Sequence, residues 1–189
     1  MRITGGIIKN RKLTNIKEAD IRPTSDMVRS SVFNILGQEL TDLDVLDLFA
    51  GTGSLGIESL SRGARKAVFI DKSRKALNII QKNVTMCGYD KVSAIIKEEL
   101  PDGLSRIQDS RYGRFDLVFI DPPYKKEYIK STICKLTECN LLAEEGRIVV
   151  ESSTKANSPL PSQINELHLK LTRPYGSTLI GIYAYNGKE

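Results

Sequence analysis

The residues best able to do chemistry are two acids and three glycines arranged around one short segment. Asp47-Leu48-Phe49-Ala50-Gly51-Thr52-Gly53-Ser54-Leu55-Gly56 contains the pattern G-x-G-x-x-G, placed after an apolar run of strand length and at the start of a helical pattern. Glycines in such a loop let the chain turn tightly and let a ligand approach main-chain N–H groups. Asp71 ends the next strand-like run, twenty residues after Gly51. A carboxylate there can accept hydrogen bonds from both hydroxyls of a ribose. Together these features predict a site for an adenosine-containing cofactor, a class that covers NAD and S-adenosylmethionine alike. Asp47 tilts the choice toward the second. Beside the loop, its carboxylate would repel a pyrophosphate and attract a methionine ammonium and a sulfonium.

A second constellation follows another apolar run. Phe115-Asp116-Leu117-Val118-Phe119-Ile120 leads into Asp121-Pro122-Pro123-Tyr124. Ligands of open parallel sheets sit beyond the carboxyl ends of the strands, so Asp121 is expected to face the same crevice as Gly51 and Gly53. The prolines donate no backbone N–H and fix the chain's direction. The Pro122 carbonyl and the Asp121 carboxylate are then acceptors, and Tyr124 offers a flat face. This set suits a planar group that carries NH₂. The lone pair of such an amine is delocalised into its ring. Two acceptors on its two N–H bonds favour a more tetrahedral nitrogen, able to attack a methyl group. Tyr124 can stack on a base drawn out of its helix.

The elements that must position these groups read as an alternation. A helix with Val28, Val32, Ile35 and Leu36 on one face comes first, after the N-cap candidates Thr24, Ser25 and Asp26. Strands are expected at residues 45–49, 67–70, 92–96, 115–120 and 147–151, with helices at 54–62, 74–87 and 127–138 between them. Residues 98–113 suggest a short helix around Leu104. Residues 152–163 read as a loop. Two further strands, starting at Leu167 and running from Thr178 to Tyr185, flank the turn Pro174-Tyr175-Gly176-Ser177. The expected fold is therefore α/β and Rossmann-like, with a seven-stranded, mostly parallel sheet ending in an antiparallel hairpin.

Charge is unevenly placed. Arg2, Lys9, Arg11, Lys12 and Lys17 fall in the first seventeen residues, which contain no Asp or Glu; the remaining basic and acidic residues balance at 23 each. A basic arm beside a neutral body is an electrostatic foot for phosphate. Residues 1–20 are accordingly expected to form a small basic β-hairpin extension, and residues 21–189 a single domain. The three cysteines and the lone His168 lack the spacing of a zinc site or a disulfide framework, so no metal is expected. No apolar run reaches the length of a membrane helix and no signal-peptide core is present, which predicts a cytoplasmic protein without a membrane partner.

Asp47 to Gly56, Asp71 and Asp121 to Tyr124 resemble the class I S-adenosylmethionine-dependent amino-methyltransferases. The N-terminal stretch narrows the likeness. Arg2-Ile3-x-Gly5-Gly6, the cluster Lys9 to Lys12, Arg22-Pro23-Thr24-x-x-x-Val28-Arg29, Phe33-Asn34-x-Leu36 and Tyr175-Gly176-Ser177-Thr178 resemble the bacterial small-subunit rRNA guanine-N2 methyltransferases. That resemblance implies S-adenosylmethionine held by Asp47, Phe49, Gly51, Gly53, Asp71 and Asp121. It implies a guanine held by Asp121, Pro122 and Tyr124, at the family's position 966 of 16S rRNA. It implies rRNA contacts from Lys9, Arg11, Lys12, Arg22 and Arg29, on the small ribosomal subunit or its assembly intermediates. Where the family often has an acidic residue after Arg29, this chain has Ser30 and Ser31.

Four other readings fit parts of the pattern. An adenine-N6 methyltransferase acting on DNA or RNA also carries Asp-Pro-Pro-Tyr, but the DNA enzymes usually add a target-recognition region for which this chain has no room. A protein-glutamine methyltransferase typically has Asn where Asp121 stands. An NAD-dependent oxidoreductase needs a hydride-handling residue, and His168 is badly placed for that. A non-catalytic RNA-binding scaffold is disfavoured by an intact Asp121.

Overall fold

The structure, a computed structural model, describes residues 1–15, 26–108, 112–122, 126–154 and 159–186. They belong to two compact units, Met1–Glu98 and Glu99–Glu189.

The first unit runs α1 (Asp26–Leu36), β1 (Asp44–Leu48), α2 (Ser54–Ser61), β2 (Lys66–Asp71), α3 (Arg74–Cys87) and β3 (Ser93–Lys97). β1 pairs with β2 and β2 with β3, both in parallel. Every residue of β1 is buried, the pattern of a strand covered on both faces. All eight residues of α2 are buried as well. α3 is amphipathic: Ala76, Ile80, Val84 and Cys87 form its apolar face, and Asn83 is buried among them. Ser73 Oγ accepts the Ala76 N–H at 3.3 Å as N-cap. Gly88, at φ 78°, ends the helix in the left-handed conformation that favours glycine.

The N-terminal segment forms a hairpin, shorter than two regular strands. Arg2 and Lys12 make one antiparallel bridge. The Ile3 N–H donates to Arg11 O at 2.9 Å and the Asn10 N–H to Ile3 O at 2.8 Å. The hairpin is docked on α2. The Ile7 N–H donates to Ser61 O at 2.7 Å, Ser61 Oγ donates to Gly5 O at 2.6 Å, and Ile3 and Leu13 are buried. Gly6, at φ 75°, is required here, because a Cβ would sit 1.8 Å from Ser61 O.

The second unit contains a 3-10 turn (Asp102–Arg106), β4 (Phe115–Ile120), α4 (Lys126–Glu138), β5 (Leu142–Ser153), β6 (Gln163–Ile164), β7 (Leu167–Tyr175) and β8 (Thr178–Tyr185). β4 and β5 are parallel. β5 with β8, β8 with β7, and β7 with β6 are antiparallel. Phe115, Leu117, Phe119, Ile148, Val150 and Tyr183 from the strands, and Ile129, Ile133 and Leu136 from α4, are buried.

The described strands number eight where seven were expected, because β6 forms at the end of the presumed loop. β5 also starts earlier than expected. Its first residues, Leu-Ala-Glu-Glu-Gly, have weak strand propensity. The register jumps between Phe115 opposite Leu142 and Leu117 opposite Arg147. Gly146 folds back on Leu142, whose Cδ1 would lie 2.7 Å from an added Cβ. The regular ladder then runs through Arg147, Ile148, Val149 and Val150, as predicted. The helix expected around Leu104 is the 3-10 turn. No helix among the described residues is long and apolar enough to cross a membrane.

Candidate functional site

The glycine loop lies between β1 and α2, and its shape follows from three left-handed residues. Phe49, Gly51 and Gly53 have φ values of 57°, 55° and 75°. For glycine this conformation is free. For Phe49 it costs about 1–2 kcal/mol, strain that the surrounding structure must hold in place. The loop is bolted to its neighbours by two acids. The Gly51 N–H donates to Asp71 Oδ2 at 2.9 Å. The Gly56 N–H donates to Asp47 Oδ2, also at 2.9 Å.

Asp47 therefore acts as a cap. The N-cap residue of α2 is Gly53, which has no side chain to offer the orphan N–H groups of the first turn. Asp47 reaches across from β1 and supplies the missing acceptor. It is 2% exposed. Burial pushes its carboxyl from 3.8 up to about 7; the Gly56 N–H opposes the rise and the charge of Asp71 adds to it.

Asp71 is half-buried at the end of β2, with Oδ2 on Gly51 and Oδ1 accepting the Ser73 N–H at 2.8 Å. An ionised carboxylate has about four lone-pair sites, so each oxygen keeps one for a further donor. An added Cβ on Gly51 would meet only Phe49 O, at 3.8 Å, so there is room over that stretch of backbone. Gly53 and Gly56 are tighter. Their added Cβ atoms would lie 3.3 Å from Ile80 and 2.3 Å from the Phe69 ring. The third glycine thus serves the approach of helix to strand, and the first serves the space above the loop. A backbone with room above it, next to a carboxylate with spare acceptor capacity, fits the ribose and adenine of S-adenosylmethionine.

In the second unit, Asp121 and Pro122 follow the last residue of β4 and are half-buried. The strand before them is almost fully buried, which places the polar corner at its carboxyl end. Tyr124 and Arg22 lie outside the described residues. Among the described residues no group of three or more His, Cys, Asp or Glu could hold a metal ion.

Of the cations assigned to RNA, Lys9, Arg11 and Lys12 are exposed on the hairpin. Arg29 is a correction. Its side chain has no exposed surface, so it cannot present a charge to phosphate. It lies on the buried face of α1 with Val28, Val32 and Phe33. Its Nε donates to Glu58 Oε2 at 3.2 Å, and its Nη2 donates to Asp26 Oδ1 at 2.8 Å and to Arg2 O.

Glu58 is the hub that the sequence reading missed. It is fully buried on α2 and takes a second guanidinium, that of Arg62, whose Nε and Nη2 donate to Oε1 at 3.0 and 2.9 Å. Arg62 also lies 4.6 Å over the ring of Phe33. Thr4 completes the cluster: its N–H reaches Glu58 Oε2 at 2.7 Å and its hydroxyl reaches Oε1 at 2.8 Å. A lone Glu in the apolar stretch Leu55-Gly56-Ile57-Glu58-Ser59-Leu60, four residues before Arg62, was the available signal. Asn83, buried on α3, was the other omission, and its setting inside a hydrophobic stripe was the cue.

Comparison with known proteins agrees with these features. The family described as Conserved hypothetical protein 95 matches residues 1–184. YlbH of Bacillus subtilis is 33% identical over 187 residues, covering 99% of this chain and 100% of the relative. Ribosomal RNA small subunit methyltransferase D of Haemophilus influenzae is 34% identical over 171 residues, covering 90% of this chain and 86% of the relative. The solved structure of yhhF from Escherichia coli superposes with a TM-score of 0.84 at 29% identity, covering 100% of this chain and 99% of that one. A full-length match of this kind, on a chain whose glycine loop and strand-end acid are in place, settles kinship: the chain belongs to the Conserved hypothetical protein 95 family, together with the ribosomal RNA small subunit methyltransferase D proteins.

Proposed function

We propose that this protein methylates the exocyclic N2 amino group of a guanine in small-subunit ribosomal RNA, with S-adenosylmethionine as donor. The observation that carries the cofactor assignment is the Asp71 carboxylate bonded to the Gly51 N–H, beside a stretch of loop with room above its backbone. The substrate class is supported by the name of the Haemophilus influenzae relative and by the exposed Lys9, Arg11 and Lys12 on a docked hairpin. The guanine, and its family position 966, rest on the resemblance of the N-terminal motifs.

S-adenosylmethionine, when bound, supplies a methyl group made electrophilic by a positively charged sulfur. Asp71 would hold the nucleoside end beside the open backbone at Gly51; Asp47, when ionised, would favour positive charge near the loop, and it keeps α2 capped. Asp121 and the Pro122 carbonyl accept the two N–H bonds of the amino group. That contact would draw the nitrogen toward tetrahedral geometry and free its lone pair to take the methyl group, with the donor's sulfur left neutral. The nitrogen then becomes acidic, and Asp121 or water takes its proton.

The test is methyl transfer to small subunits or rRNA from cells that lack this protein, followed by nucleoside mass spectrometry. N2-methylguanosine is expected; N6-methyladenosine would replace the base assignment. Asp121→Ala is expected to abolish transfer and leave S-adenosylhomocysteine binding nearly intact. Full activity in that variant rejects the role given to the corner.

A further inference from the structure

Both strands of the N-terminal hairpin are held from beneath by polar side chains with no exposed surface. Glu58 takes the first strand at Thr4. Asn83 takes the second: its Oδ1 accepts the Thr14 N–H at 2.7 Å and its Nδ2 donates to Thr14 O at 3.1 Å. That is the two-point pairing a neighbouring strand would make. The same Nδ2 donates to Thr52 O at 2.9 Å, and Thr52 stands between Gly51 and Gly53. One turn earlier on α3, Ile80 lies under Gly53. A primary amide has two N–H bonds and a carbonyl, and all three are in use here. Aspartate would keep the acceptor and lose both donors. An apolar side chain would leave Thr14 N–H, Thr14 O and Thr52 O without this partner.

We infer that Asn83 is a positioning residue that couples the hairpin to the cofactor loop, so that RNA and cofactor each tighten the binding of the other. The inference rests on the reading that the hairpin binds RNA and the loop binds S-adenosylmethionine. Thr14 and Thr52 share one buried amide, so neither backbone segment can shift without breaking a hydrogen bond to Asn83 or displacing α3. A ligand that immobilises one segment has already met part of the ordering cost of the other. Linkage requires the effect to be equal in both directions.

The experiment measures the Kd of S-adenosylhomocysteine by equilibrium dialysis, with and without a saturating transcript of small-subunit rRNA, and the RNA Kd with and without S-adenosylhomocysteine. In the wild type, each ligand is expected to tighten the other about 5-fold or more, by the same factor. In Asn83→Ala and Asn83→Asp the factor is expected to fall to about 1, while each ligand still binds alone. A purely stabilising role for Asn83 would weaken affinities without removing the factor. The same factor in wild type and variants, or a factor of 1 in the wild type, overturns the coupling. Failure of the wild type to bind one ligand at all instead overturns the functional reading. Hydrogen exchange on the wild type covers variants that do not fold. RNA should slow exchange across residues 50–56, and S-adenosylhomocysteine should slow it across residues 10–15. Absence of both effects ends the proposal.

Discussion

Asp71 Oδ2 accepts the Gly51 N–H at 2.9 Å, so the acid that ends β2 is part of the glycine loop's own structure. Its other oxygen holds Ser73, the N-cap of α3. Asp71→Ala removes two acceptors from the protein and the proposed acceptor of the ribose. S-adenosylhomocysteine affinity is expected to fall by about 1–3 kcal/mol, the cost of unmade hydrogen bonds at a partly buried site. Asp71→Asn keeps one carbonyl oxygen but turns an NH₂ toward one of the two amides, so it should lose nearly as much. Calorimetric affinities that match the wild type in both variants would remove Asp71 from the cofactor site.

Asp47 gives the protein a pH signature. Its carboxyl has a folded value of about 7 against 3.8 when unperturbed. Between about pH 4 and pH 7 the folded chain holds a proton that the unfolded chain has released. Stability therefore falls as pH rises through this window and levels off above it. Asn at position 47 does not titrate, and its carbonyl can still accept the Gly56 N–H. The Tm of the wild type relative to Asp47→Asn should thus drop from pH 4 to pH 7. A bound cation favours the ionised carboxylate, so cofactor affinity should gain a pH-dependent component near pH 7 that Asp47→Asn lacks. Parallel Tm curves for the two proteins would show that Asp47 carries no such proton.

The basic residues divide into two kinds, which one titration can separate. Lys9, Arg11 and Lys12 are exposed, and replacing all three with Ala should lower the slope of log K for rRNA against log salt by about 2–3. Arg29 is buried against Glu58. Arg29→Ala should leave that slope unchanged and cost about 3 kcal/mol of stability. This is the low end for breaking a buried pair, because Arg62 still neutralises Glu58. For a chain of this size that is a Tm drop of about 6–12 °C. A changed salt slope with an unchanged Tm in Arg29→Ala would return this residue to the RNA-binding set.

Those two kinds of arginine also show what the sequence made legible. The strands and helices of the alternation depend on neighbours a few residues apart. They appear where local spacing places them. The glycine loop and Asp71 were legible because their chemistry is tied to a fixed position after a strand. Arg29 was assigned to RNA through the family resemblance, and its buried pairing was hidden because Glu58 lies twenty-nine positions away on another helix. The cap that Asp47 provides was not legible, because it depends on how β1 approaches the first turn of α2. The early start of β5 was hidden for a related reason: Gly146 and Leu142 pack against each other in a bulge, which strand propensity does not encode.

Gly51 and Gly56 occupy the first and third glycine positions of one motif, and the structure separates their roles. At Gly56 an added methyl would lie 2.3 Å from the Phe69 ring, in a helix–strand contact that is fully buried. Gly56→Ala should overpack that contact and cost about 1–3 kcal/mol of stability. At Gly51 the methyl would meet only Phe49 O at 3.8 Å, but φ is 55°. Gly51→Ala should therefore cost about 1–2 kcal/mol in backbone strain and fill the space over the loop. Judged by calorimetry, S-adenosylhomocysteine affinity per unit of lost stability should fall more in Gly51→Ala than in Gly56→Ala. If Gly51→Ala binds like the wild type, the ligand does not approach the backbone at Gly51. The room seen there would then belong to solvent.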